Sequence, residues 1–290
     1  MALFFNDPKF HTIYEKIMDL NELVWENKLD PFMIEQWLEN FDTKSDKLEM
    51  LELLSKFTYY NEKEISSLLT SSFELLKSYL SLIHLNQKIE ISDLNEFVKN
   101  NCYFVGTWEN PSKSGVHLLY DFRVLNKLPP RIFCNTVKDV PKNAPFVIFL
   151  DDIAGSGRQA SDFWNLRVIK ERKHLTNTKF LYLVLVGNEK GIEYIETKTK
   201  IKVLPVVKLD DRYKLFSKSS IYFPDKKKRQ KVQKICEKYG KRLYANNPLG
   251  FANSQMLIGF HHNIPDNTLP IIWENKNNWD PIFPRFGAVV

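Results

Sequence analysis

The fold is decided by one segment in the middle of the chain, which reads Phe146-Val147-Ile148-Phe149-Leu150-Asp151-Asp152-Ile153-Ala154-Gly155-Ser156-Gly157-Arg158-Gln159-Ala160. Its uninterrupted apolar run, 146–150, is typical of a central parallel strand that is buried on both faces. Asp151 and Asp152 follow at the carboxyl end of this predicted strand, where open α/β sheets bind their ligands. The segment therefore predicts a parallel α/β sheet with a functional site at that edge.

A short glycine loop follows the two acidic residues. Gly155 and Gly157 give the backbone the freedom that a tight turn needs, and the helix predicted after them offers its first N–H groups to an anion. Two carboxylates beside such a loop fit a phosphorylated sugar that is bound together with magnesium. The same pattern is also compatible with a metal site of a phosphatase-like or ATPase-like fold, or with the acidic edge of an ordinary α/β domain.

This pattern resembles the signature of type I phosphoribosyltransferases, in which a hydrophobic strand precedes two acidic residues, two small residues and a Thr/Ser-Gly-Gly-Thr loop. The resemblance implies that Asp151 and Asp152 are the catalytic pair and bind Mg²⁺ and the ribose hydroxyls of phosphoribosyl pyrophosphate. The residues that it assigns to the 5-phosphate are Gly155, Ser156, Gly157, Arg158 and Gln159.

The chain departs from the signature at two positions of this loop. Arg158 stands in place of the second loop glycine, and Gln159 stands in place of the terminal threonine. The resemblance therefore predicts binding of phosphoribosyl pyrophosphate or a related nucleotide. It leaves open whether the chain is an enzyme, which would then be a glycosyltransferase of the pentosyltransferase class.

A second loop is expected upstream of the signature. Residues 106–115 follow a predicted strand, at the place where the family keeps its pyrophosphate loop. The resemblance assigns the pyrophosphate contact to Lys113, Ser114 and Gly115. A solvated loop lysine is the plainer interpretation of Lys113.

Strand-like segments recur after residue 100, with glycine and proline between them. The predicted strands are 102–105, 116–122, 146–150, 180–186 and 201–207. Helical patterns at 158–174 and 189–197 alternate with the last three strands. This alternation predicts right-handed crossovers and a mostly parallel, Rossmann-like sheet of the phosphoribosyltransferase type.

Charge divides the chain into two parts. Residues 1–98 carry a net charge of −9 and residues 99–290 a net charge of +15, and all 10 glycines lie at or after Gly106. Apolar residues at three- and four-residue spacing predict helices throughout the first part. We therefore expect an acidic, all-α helical domain at 1–98 and a basic phosphoribosyltransferase-like domain, with a divergent C-terminal extension, at 99–290.

The acidic part suggests a partner rather than a catalyst. Short paired helices around residues 47–80 also fit a helix-turn-helix or winged-helix unit. An acidic surface repels DNA phosphates, however, which favours a protein partner for this domain.

The most basic stretch of the chain is 226–242. Its charge suggests contact with nucleic acid or with an acidic partner, and the residues predicted for that contact are Lys226, Lys227, Lys228, Arg229 and Lys231. A solvated amphipathic helix is the ordinary interpretation of this stretch. Its sign also allows the acidic half of the same chain to dock there.

The tail contains three motifs, at 246–250, 265–270 and 279–285, that are not standard for metabolic enzymes. Together with the helical N-terminal region, they resemble the divergent phosphoribosyltransferase-like proteins of bacterial conflict systems. The resemblance implies a component or effector of antiviral defence. The alternative is a non-catalytic interaction module that binds nucleic acid or a partner protein through its basic face.

Composition excludes several other classes of protein. The chain has 290 residues, of which 43% are hydrophobic, and it lacks the run of about 20 apolar residues that a membrane-spanning helix needs. Its 3 cysteines are far apart in sequence, so neither a disulfide framework nor a cysteine-built zinc site is expected. We therefore expect a globular protein of the reducing cytoplasm that does not contact a membrane.

Overall fold

A computed structural model describes residues 7–86, 93–107 and 114–285. In these ranges the α-helices are α1 Pro8–Leu23, α2 Pro31–Glu39, α3 Lys44–Leu54, α4 Glu62–Asn86, α5 Leu94–Asn101, α6 Ser114–Leu125, α7 Arg158–Phe163, α8 Ile169–Glu171, α9 Glu189–Thr199, α10 Lys226–Leu243 and α11 Pro270–Trp273. The strands are β1 Thr58–Tyr60, β2 Cys102–Gly106, β3 Phe133–Cys134, β4 Phe146–Ala154, β5 Lys179–Asn188, β6 Lys202–Leu209 and β7 Ile258–Phe260. A π-helical turn, Trp164–Val168, joins α7 to α8. Among the described helices, none has the length and apolar character needed to cross a bilayer.

The chain forms two compact units that differ from the two predicted domains. One unit combines Met1–Lys63 with Asp211–Val290, and the other is Glu64–Asp210. A boundary at residue 98 therefore falls inside the second unit. The physical reason is that the first three helices bury their apolar residues in one core with α10 and the tail, as the hydrogen bond from Trp37 Nε1 to the carbonyl oxygen of Ile271 (2.8 Å) illustrates.

The second unit is built on a five-stranded sheet with the strand order β3-β2-β4-β5-β6. All four pairs of neighbouring strands are parallel. From the central pair β2 and β4, the chain adds β3 on one side and β5 and β6 on the other. The direction of strand addition thus reverses between β2 and β4, and such a switch point opens a crevice at the carboxyl ends of the strands. The predicted parallel α/β architecture is confirmed.

Four of the predicted strands are confirmed as β2, β4, β5 and β6, but the strand predicted at 116–122 is wrong. This segment lies in α6, where Leu118, Leu119 and Phe122 are buried. These three positions share one face of a helix. The ring of Phe122 lies 5.1 Å from that of Phe104 on β2, so the apolar run covers the sheet and is not part of it.

Helices cover both faces of this sheet. Phe104 packs against α6, whereas its neighbour Val105 belongs to the opposite core, together with Phe163 of α7 and Ile195 of α9. Successive residues of a strand point to opposite faces, so β2 is buried on both sides. The same holds for β4, which explains its uninterrupted apolar run at 146–150.

In the first unit, the N-terminal helices and the tail share an aromatic core. The Phe41 ring meets Tyr239 of α10 and Trp279 of the tail edge to face, with ring centroids 4.9 Å and 5.2 Å away. β1 and β7 form a two-stranded parallel sheet in this unit. The tail motifs that suggested a divergent extension are therefore structural parts of a unit that the N-terminal helices begin.

Candidate functional site

Asp151 and Asp152 lie near the carboxyl end of β4, and both are buried. Tyr182, on β5, donates a hydrogen bond of 2.6 Å from its hydroxyl to Asp151 Oδ2. The backbone N–H of Asp152 donates to Asp151 Oδ1 (3.0 Å), and the N–H of Ile153 donates to Asp152 Oδ1 (2.8 Å). The two carboxyl groups are thus held in place by strand backbone and by one side chain.

Burial governs the protonation of this pair. It raises the pKa of Asp151 to about 8, and the negative charge of Asp152 acts in the same direction, whereas the hydrogen bond from Tyr182 lowers it. Burial also raises the pKa of the Tyr182 hydroxyl well above its usual value, with the charge of Asp151 as the next cause. Two close carboxylates in a dry site hold either a shared proton or a cation. The pair is therefore suited to a ligand that brings positive charge.

The glycine loop is fixed by close backbone contact with α9. Gly157 has a left-handed backbone (φ 75°), and a Cβ atom there would collide with the carbonyl oxygen of Gly191 in the first turn of α9. A Cβ atom on Gly191 would collide with the carbonyl oxygen of Gly155. Only glycine allows the two backbones to approach so closely.

The glycine loop leads directly into a helix. α7 begins at Arg158, directly after Gly157, and runs on through the π-helical turn into α8. The first N–H groups of a helix lack carbonyl partners within the helix and carry the positive end of its dipole. Ser156 Oγ accepts the N–H of Arg158 at 3.4 Å, and the side chains of Arg158 and Gln159 are exposed. The predicted phosphate loop is therefore the turn between a buried strand and a helix.

β2 ends at the same edge of the sheet, since Gly106, its last residue, pairs with Leu150 in parallel register. Of the residues predicted for pyrophosphate, Ser114 and Gly115 open α6, and Lys113 lies outside the described residues. Their role stays a prediction.

The carboxylates of Asp151 and Asp152 are of the type that binds Mg²⁺. The described residues contain no group of three or more His, Cys, Asp and Glu side chains that would hold a metal alone. Mg²⁺ is commonly held by one or two carboxylates together with substrate phosphates and water. Asp151 and Asp152 offer the carboxylates that a Mg²⁺ ion of that kind would need.

The basic helix α10 is largely engaged inside its own unit. Arg229 is buried, and its guanidinium donates to the carbonyl oxygens of Phe223 (2.8 Å) and Pro224 (3.1 Å). Lys228 and Lys231 bind the acidic helix α3. Lys226 and Lys227 remain exposed.

Ion pairs join α10 to α3 and to the turn before it. Lys228 Nζ binds the carboxylates of Glu49 and Glu52, the latter at 2.8 Å. Lys231 Nζ lies 2.8 Å from Glu49 Oε1, and Lys238 Nζ lies 2.8 Å from Oδ2 of Asp42, which precedes α3. The sequence analysis allowed the acidic half of the chain to dock on this basic stretch. In the structure, the acidic helix α3 does so.

Sequence reasoning missed two residues of the site. Tyr182 lies in an apolar strand that was predicted to be buried. A buried tyrosine hydroxyl usually needs a hydrogen-bond partner, so this residue could have indicated a polar group nearby. Gly191 is an isolated glycine at the start of a helical pattern, which often marks a close backbone approach.

Comparison with known proteins follows this geometry. A search of curated proteins found no significant match to the chain. The model of the PRTase-CE family, a phosphoribosyltransferase-type family, matches residues 34–285, a range that includes parts of both units. Because this match covers most of the chain, the chain belongs to the PRTase-CE family and carries a phosphoribosyltransferase-type domain.

Proposed function

We propose that this chain binds phosphoribosyl pyrophosphate, or a related phosphoribosyl nucleotide, together with Mg²⁺. The observation that carries the proposal is the placement of a buried acid pair and a glycine loop side by side, at the switch point of a parallel sheet. Carboxylates suit ribose hydroxyls and a cation, and a helix start suits a phosphate. One edge of the sheet thus offers a complementary group to each part of a phosphorylated pentose.

In this proposal, the side chains of Asp151 and Asp152 hold the ribose hydroxyls. The loop Gly155 to Gln159 holds the 5-phosphate, and Lys113, Ser114 and Gly115 contact the pyrophosphate. Bound Mg²⁺ supplies positive charge that neutralises the departing pyrophosphate.

If transfer occurs, the chain is a pentosyltransferase. An acceptor atom forms a bond to the anomeric carbon while the bond to pyrophosphate breaks, and pyrophosphate leaves with the electron pair. The transition state is cation-like at the ribose, and fixed negative charge beside it stabilises that state. We propose that the acid pair supplies this charge.

We propose bacterial antiviral defence as the setting. This part of the proposal rests on the resemblance of the helical N-terminal region and the tail to the phosphoribosyltransferase-like proteins of bacterial conflict systems. The observation that these two segments form one unit is compatible with their appearing together in such proteins.

Calorimetric titration of phosphoribosyl pyrophosphate, with and without Mg²⁺, tests the proposed ligand. We expect binding that depends on Mg²⁺ and that is lost in the double variant Asp151→Asn, Asp152→Asn. The matched control is Asp162→Asn, which removes one exposed carboxylate from α7. A wild-type protein that binds no phosphoribosyl ligand, or a double variant that binds like the wild type, contradicts the proposal.

A second candidate function is favoured by the exposed face of α10. Lys227, Lys234 and Lys241 recur every seven residues, are exposed, and therefore lie in one row along the helix. Such a row suits a polyanion such as nucleic acid.

Reversing these three lysines to glutamate tests that candidate. We expect the triple variant to bind a nucleic-acid duplex more weakly. The slope of log binding constant against log salt concentration should also become less steep, by about one for each phosphate contact removed. Lys198→Glu, an exposed lysine of α9, is the control. Unchanged affinity in the triple variant excludes this face as the nucleic-acid site.

A further inference from the structure

Among the described residues, the hydroxyl of Tyr182 is hydrogen-bonded to Asp151 of the acid pair. Tyr182 lies on β5 opposite Phe149, and Asp151 lies opposite Val184, so Tyr182 and Asp151 are diagonal neighbours on adjacent strands. Long side chains reach such a diagonal partner on the same face of a sheet. The hydroxyl donates to Asp151 Oδ2 at 2.6 Å, a usual distance for a hydrogen bond from a hydroxyl to a carboxyl group.

Packing accounts for the ring of Tyr182 but not for its hydroxyl. The ring belongs to the buried core below α7 and lies 6.4 Å from the ring of Phe149. A phenylalanine would fill the same space. A hydroxyl group is unfavourable in such a core unless it is hydrogen-bonded. Its presence is therefore explained by the carboxyl group that it contacts.

Both carboxyl oxygens of Asp151 are held by hydrogen bonds. Oδ2 accepts the hydroxyl of Tyr182, and Oδ1 accepts the backbone N–H of Asp152. Tyr182 therefore limits the rotation of the Asp151 carboxyl group beside Asp152. Residues that orient a ligand-binding group in this way commonly change its affinity by 10- to 100-fold when they are lost.

We propose that Tyr182 is a positioning residue for the acid pair: its hydroxyl fixes Asp151 in the orientation in which the pair recognises the hydroxyl groups of a phosphorylated pentose. This inference rests on the proposed function, because it takes the acid pair as the pentose site. In this proposal, β5 contributes to sugar recognition through Tyr182 as well as forming a strand of the sheet.

The test compares Tyr182→Phe with the wild type for three ligands, namely ribose 5-phosphate, 2-deoxyribose 5-phosphate and inorganic phosphate. We expect the wild type to prefer ribose 5-phosphate over the deoxy sugar. The variant should bind ribose 5-phosphate about tenfold more weakly, lose most of this preference, and keep its affinity for inorganic phosphate. A merely structural role would weaken all three ligands alike.

Two control variants separate the hydroxyl from packing. Tyr103→Phe removes a hydroxyl from β2 of the same sheet and should leave the preference intact. Val184→Ala removes packing volume from the face of β5 that carries Tyr182 but keeps the hydroxyl, so it should lower stability and preserve the preference. In an Asp151→Ala background, Tyr182→Phe should have no further effect on the preference, because both acceptor oxygens of that side chain are gone.

The outcomes distinguish this inference from the proposed function. If the wild type binds none of these ligands and no phosphoribosyl pyrophosphate, the proposed function and the inference both fail. If the wild type prefers ribose 5-phosphate and Tyr182→Phe retains that preference, the inference alone is overturned. An effect of Tyr182→Phe that persists undiminished in the Asp151→Ala background also overturns it.

Discussion

Lys231 Nζ on α10 lies 2.8 Å from Glu49 Oε1 on α3, and the two residues are 182 positions apart in the chain. Glu49 is almost fully buried, and it also binds Lys228. A buried carboxylate needs a compensating charge, which the basic helix supplies. Part of the charge that sequence reasoning assigned to an external partner thus stabilises the first unit.

Two neighbouring lysines of α10 allow this stabilisation to be measured. Lys228→Ala removes the partner of Glu49 and Glu52, and we expect it to lower the free energy of unfolding by about 1 to 2 kcal/mol. Lys227→Ala, at an exposed position, should change it by less than about 0.5 kcal/mol. Urea denaturation of both variants tests the difference. Equal effects would mean that the ion pairs contribute nothing beyond helix charge.

Gly191→Ala tests the contact between α9 and the phosphate loop. A methyl group there meets the carbonyl oxygen of Gly155, so the loop must shift. We expect inorganic phosphate and phosphoribosyl pyrophosphate to bind more weakly by about tenfold or more, because ligand-binding groups tolerate little displacement. Titration calorimetry measures the change. Glu193→Ala, an exposed position of the same helix, should bind like the wild type; if Gly191→Ala does so too, the loop does not hold the phosphate.

Protonation of Asp151 predicts a pH dependence of stability. Its pKa is about 8 in the folded protein and about 3.9 in an unfolded chain, so between these values only the folded state holds the proton. The free energy of unfolding should therefore fall as pH rises through this range, by up to about 1.4 kcal/mol per pH unit, and level off above the folded pKa.

Asp151→Asn removes this titration. We expect the stability of the variant, relative to the wild type, to increase as pH is raised from about 5 to about 8. Urea denaturation at several pH values measures it, with Asp162→Asn as an exposed control that should follow the wild-type profile. Parallel profiles for Asp151→Asn and the wild type would show that Asp151 is ionised throughout.

The tail is expected to be essential to the stability of the first unit. Trp279 is buried, and its ring packs on Phe41 while its Nε1 donates to the carbonyl oxygen of Ile271 at 3.2 Å. Trp279→Ala should lower the free energy of unfolding by about 3 to 5 kcal/mol. Phe32→Ala, where the side chain is 61% exposed, is the control and should have a small effect in the same denaturation experiment.

Prediction from the sequence was most accurate where the residues of a single segment were enough to indicate its structure. The run 146–150 is apolar because β4 is buried on both faces, and the loop after it contains glycine because α9 approaches closely. The segment 116–122 was misassigned because a short apolar run fits either a strand or one face of a helix. Its neighbours in space, not its own residues, decide between them.

The boundaries between the two units were harder to predict from the sequence. A change in net charge near residue 98 is a real property of the sequence, but charge reports on surfaces and not on which core a helix joins. α4 and α5 are acidic-half helices by sequence, yet they belong to the unit of the sheet. Tyr182 was missed for a related reason, because its partner Asp151 lies 31 residues away and on another strand.

The division of the first unit between the two ends of the chain has a consequence for biosynthesis. On the ribosome, β1 emerges early, but its only described partner strand, β7, is translated after the whole of Glu64–Asp210. The sheet-bearing unit has all its strands available before the tail is made, whereas the N-terminal helices wait with their apolar faces uncovered. Synthesis therefore supplies every described strand of the unit with the acid pair before β7, and the core that α1 to α3 share can be completed only after α10 and the tail have been made.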